Sequence, residues 1–61
     1  MTLDEKIAQA TRHVEDGRRI VERQRALVAR IGSQTSVDLL AVFERTQEIF
    51  EADLAALLKM R

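Results

Sequence analysis

Ile31-Gly32-Ser33-Gln34-Thr35-Ser36 is the stretch that decides the fold. Gly occurs only at positions 17 and 32 of the 61 residues, and Pro does not occur. Gly32 directly follows an apolar periodic run, where a helix ends most readily in the left-handed conformation. Thr35 can cap a following helix, with Asp38 as its third-position carboxylate, and Ser33 or Ser36 are alternative caps. Four residues, Gly32 to Thr35, is an ordinary connection between antiparallel helices.

Upstream of the turn, Leu3, Ile7, Ala10, Val14, Gly17, Val21, Gln24, Val28 and Ile31 alternate in spacings of four and three. That period predicts a helix over about 3–31. Thr2 and Glu5 form a capping box at its start, and Asp4 and Glu5 favour the positive end of the helix dipole. Downstream, Leu40, Phe43, Gln47, Phe50, Leu54 and Leu57 repeat the pattern and predict a helix over about 36–60.

The two stripes complement each other in size. Ala10, Gly17 and Gln24 are small or thin, whereas Phe43, Phe50 and Leu57 are large, and each set is spaced by seven. Folding back at the turn pairs Ala10 with Leu57, Gly17 with Phe50 and Gln24 with Phe43. Gly17 becomes a notch for Phe50, in a helix interior where Gly otherwise costs about 1 kcal/mol. Gln24 and Gln47 fall on seam positions, with Gln47 level with Ile20 or Val21. Polar residues there commonly fix register or oligomeric state. The expected fold is all-α: one helical-hairpin domain over 1–61.

Apolar residues remain that this seam does not use. Ile20 and Leu27 widen the first helix's face, and Leu39, Val42, Ile49, Ala56 and Met60 form a second stripe on the other helix, broken by Thr46 and Asp53. A lone hairpin would leave much of this surface in water, which points to an interface. A chain this short gains little from its own core, and without Cys it has no disulfide or thiolate metal site. A homodimer closing into a four-helix bundle would bury Ile20, Leu27, Leu39, Val42, Ile49 and Met60.

Formal charge is zero, yet residues 17–31 hold Arg18, Arg19, Arg23, Arg25 and Arg30 against Glu22 alone. Arg19, Arg23 and Arg30 lie near one outer face and could follow a phosphate backbone. The plainer reading is a solvated face, with Arg18 paired to Glu22 and Arg19 to Glu15. Zero net charge and only two aromatics, both Phe, make nucleic acid the minor expectation. His13 is the one histidine and lacks the Glu-x-x-His spacing of a di-iron bundle, since Ala10 precedes it by three. No hydroxyl has a base at hand, so no catalytic, cofactor or metal residues are assigned. The start Met-Thr-Leu-Asp-Glu-Lys is unlike a signal peptide. With no stretch long enough for a membrane span, the cytoplasm is the expected compartment.

The run Gly17-Arg18-Arg19-Ile20-Val21-Glu22-Arg23-Gln24, the Gly after the first helix and Leu39-Leu40-x-x-Phe43 together resemble a group of small uncharacterised helical-hairpin proteins of α-proteobacteria such as the rhizobia. The likeness extends from about His13 to Leu54. Leu27-Val28 departs from the group's pattern, which carries a single apolar residue there. The resemblance implies a bacterial helical hairpin and brings no activity with it. The function expected is that of a small non-enzymatic interaction or scaffold protein acting as a homodimer, the alternative being a nucleic-acid-binding dimer; a third reading is a subunit that pairs with a different, larger protein through Leu39, Val42, Ile49 and Met60.

Overall fold

The computed structural model describes all residues from Met1 to Arg61. Two helices, α1 (Leu3–Ile31) and α2 (Gln34–Lys59), pack side by side with no strand. The result is a rod of 43 × 15 × 14 Å. Its length is that of α1, whose 29 residues at about 1.5 Å each set the long dimension.

The start of α1 is held as the sequence implies. The Thr2 hydroxyl oxygen accepts from the Glu5 amide at 3.1 Å, and the Thr2 amide donates to the Glu5 carboxylate at 3.0 Å. The Thr2 amide, and after it the Thr2 side chain, hold the Glu5 carboxyl below its ordinary pKa, because its charged form accepts from them. At the far end Gly32 takes φ 62° and ψ 23°, the left-handed C-cap.

The second helix begins two residues earlier than the 36–60 reading. Ser33, not Thr35, is its N-cap: the Ser33 hydroxyl accepts from the Ser36 amide at 3.2 Å. The Ser36 hydroxyl donates back to the Ser33 carbonyl at 2.9 Å. Two serines three apart thus close the turn on themselves, and the connection shrinks to Gly32 and Ser33. Asp38, released from capping, accepts from the Gln34 side chain at 2.9 Å.

Packing between the helices is lopsided in a way that follows from side-chain size. Ala10, Val14, Gly17, Val21 and Gln24 of α1 are all buried. Opposite them Leu40, Phe43, Phe50, Leu54 and Leu57 of α2 are only half-buried, and no large side chain is fully enclosed. The large residues cover the small ones and overhang them. One neighbouring helix is too narrow to cover the overhang in turn.

The register differs in detail from the one the size pattern implies. Ala10 and Leu57 line one cleft together. Phe50 does stand beside Gly17, 3.4 Å from where a Cβ would be. The group that enters the Gly17 notch most deeply, however, is the Gln47 side-chain amide, whose Oε1 occupies the space a Cβ would need. Gln47 Nε2 donates to the Val14 carbonyl at 2.9 Å. Gln24 also turns its amide to a backbone carbonyl: its Nε2 donates to the Ser36 carbonyl at 2.8 Å. A buried amide requires a partner, and the nearest acceptors are backbone carbonyls, which can take a second donor. Each helix therefore sends one glutamine into the backbone of the other.

Candidate interaction surface

The surplus apolar residues lie one position before seam residues in both helices: Ile20 and Leu27 before Val21 and Val28, Leu39, Val42 and Ile49 before Leu40, Phe43 and Phe50. One residue is about 100° of turn. Because the helices are antiparallel, this common offset swings both stripes to the same side of the hairpin. The side so formed is mostly α2's. Val42, Ile49 and Met60 are 58%, 56% and 69% exposed, and Leu39 is exposed as well. From α1, Ile20 is exposed while Leu27 is half-buried. The surface is continuous along α2 except at Thr46 and Asp53, both exposed. The Thr46 hydroxyl donates to the Val42 carbonyl at 3.0 Å, which leaves its methyl for packing.

Four further large exposed apolar side chains, Met1, Ile31, Val37 and Leu58, lie off this stripe. Ile31 belongs to the α1 seam pattern, yet it is 64% exposed in the hairpin. Its periodicity gave no sign of this.

On the opposite side the surface is charged. Arg25 and Glu44 join the helices at 3.1 Å, and Glu48 and Glu51 lie beside them. Both side chains of the Arg25–Glu44 pair are substantially exposed, so it adds at most about 1 kcal/mol. Of the three outer arginines, Arg19 is paired with Asp16 at 2.9 Å rather than with Glu15. Arg23 and Arg30 form no ion pair within the hairpin, nor do Arg18 and Glu22 with each other.

His13 is exposed, and its ring lies 5.2 Å from that of Phe50 at a 36° tilt. It packs against Phe50 across the hairpin, a contact that the sequence did not reveal. No group of three or more metal-binding side chains converges anywhere in the chain. The two clefts between the helices are open, one lined by Val21 and Gln47 among charged side chains and the other by Ala10 and Leu57 among polar ones. Neither brings a nucleophile to a base. No helix is long and apolar enough to cross a membrane.

No protein-family model, curated protein or solved structure matches the chain.

Proposed function

We propose that this protein is a small non-enzymatic interaction or scaffold module that works as a homodimer in the bacterial cytoplasm, two hairpins forming a four-helix bundle. One observation carries the reading. The outer stripe of α2 leaves Leu39, Val42, Ile49 and Met60 in water, while no large side chain in the hairpin is fully enclosed. A surface of this size and continuity is unusual for a monomer and usual for an interface. Sedimentation equilibrium of the full chain across low to high micromolar concentration tests it. A mass of two chains is expected, with helicity falling on dilution. A fully helical species of one chain at every concentration would refute the proposal.

A second reading rests on Arg23 and Arg30, which are without ion-pair partners on the outer side of α1. On that reading the dimer doubles the basic strip and binds a phosphate backbone. Its signature is affinity for mixed RNA or DNA that falls steeply between low and high salt. Binding that is absent or indifferent to salt would rule it out.

A further inference from the structure

We infer that the occupant of the α2 outer face is a second copy of the same chain, docked antiparallel about a two-fold axis beside Ile49. The inference rests on the homodimer reading and specifies its geometry.

The first argument is the order of residues along the stripe. Leu39, Val42, Thr46, Ile49, Asp53, Ala56 and Met60 follow spacings of three and four. Their character is nearly the same in either direction: two apolar residues, a polar one, Ile49, a polar one, two apolar. A two-fold interface brings a surface against itself. With the axis beside Ile49, Leu39 lies opposite the partner's Met60 and Val42 opposite the partner's Ala56. Thr46 falls opposite the partner's Asp53, and Ile49 opposite itself. The two polar interruptions then meet each other rather than apolar side chains.

Charge gives the second argument. The flank of the stripe away from α1 carries Asp38, Arg45, Ala52 and Lys59. The same axis sets Asp38 against the partner's Lys59 and Arg45 beside the partner's Asp53. Both pairs are of opposite sign, and each occurs twice. Asp38 and Lys59 make no ion pair within the hairpin. Glu44 and Glu51 are turned to the other side, while Glu48 lies 3.9 Å from Arg45 of its own helix, an exposed contact too long to tie Arg45 down.

Area supplies the third. The hairpin exposes 4622 Å². A compact monomer of its mass, 7.0 kDa, exposes about 4,000 Å². The excess is of the same order as the roughly 800 Å² that one partner contributes to a standard interface. The stripe lies about a quarter-turn or slightly more from the α1 seam. This is where a square four-helix bundle places its second neighbour.

The chain has no Cys, so a single introduced thiol reports its own neighbour. Full-length Ile49→Cys and Glu48→Cys are compared under mild oxidation, alongside sedimentation of the unmodified chain. The expected result is a dimer in which Ile49→Cys cross-links rapidly and Glu48→Cys, at the same height on the charged side, does not. Charge reversal checks the register. Asp38→Lys is expected to weaken dimerisation roughly two- to fivefold, and adding Lys59→Asp is expected to restore it. A dimer in which Ile49→Cys fails to cross-link, or Glu48→Cys cross-links as well, overturns the proposed axis and leaves the homodimer standing. Failure of Lys59→Asp to rescue Asp38→Lys overturns the register. A chain that sediments as a monomer throughout overturns both.

Discussion

Gly17 and Gln47 act as one unit. The Gln47 amide fits only because Gly17 has no Cβ, and from there it reaches the Val14 carbonyl. Its Oε1, facing the Gly17 backbone, has no conventional donor, and a Cα–H contact of modest strength is what remains to it. Gly17→Ala alone is expected to destabilise the fold by about 1–2 kcal/mol, since displacing Gln47 strands a buried amide. In a Gln47→Ala background the same change is expected to stabilise by up to about 1 kcal/mol, the ordinary helix preference for Ala over Gly. Urea denaturation of the four-member cycle measures this, and additivity of the two substitutions would contradict it. The size pattern made the notch at Gly17 legible in the sequence. What fills it was not legible, because Gln47 and Phe50 are one turn apart on the same face and size alone favours the ring. The deciding factor is the amide's need for a carbonyl.

At the level of the helices, the two ends of α1 were the most readable parts of the chain. Thr2, Glu5 and Gly32 each carry a local signal that does not depend on tertiary packing, and the structure realises all three. The start of α2 was harder, since Ser33, Thr35 and Ser36 are all competent caps. Ser33 takes the position because Ser36 returns its bond. Ser33→Ala is therefore expected to cost about 1 kcal/mol, and Thr35→Ala, at an exposed position inside the helix, only a few tenths. Thermal melts of the two variants make the comparison. The capping box also gives α1 a pH response. Glu5 has a lowered pKa in the folded chain, so its contribution is present above the unfolded carboxylate range and is lost as pH falls through the folded value. Amide exchange at Thr2 and Glu5 is expected to quicken under acid before the middle of α1 responds.

For the whole molecule, the apolar surplus was plain from the sequence, and exposure in the hairpin bears out the count for Leu39, Val42, Ile49 and Met60. Leu27 is the exception, half-buried in the hairpin. What the sequence could not supply was the degree of exposure along that face, which depends on how deeply each side chain sinks between the helices. Ile49→Asp is expected to abolish self-association and to lower helicity with it, because the hairpin alone encloses no large side chain. Circular dichroism at two concentrations checks this: the variant should show no concentration dependence where the unmodified chain does.

The connection between the helices consists of Gly32 and Ser33, and only Gly32 has positive φ. Gly32 is left-handed and Ser33 is extended (φ −72°, ψ 154°), so the dihedrals of these two residues separate the hairpin from an uninterrupted helix. Gly32→Ala removes the residue that tolerates the left-handed angle, at a cost of about 1–2 kcal/mol in the folded-back form. Straightened, the chain would span about 85 Å, with the narrow face of one half and the bulky face of the other both bare. Two such rods laid head to tail regenerate both glutamine–carbonyl bridges between chains instead of within them, an exchange of identical arms. X-ray scattering would register it as a near-doubling of particle length with helix content unchanged. The same two residues that make the hairpin compact also make it a latent hinge for exchange.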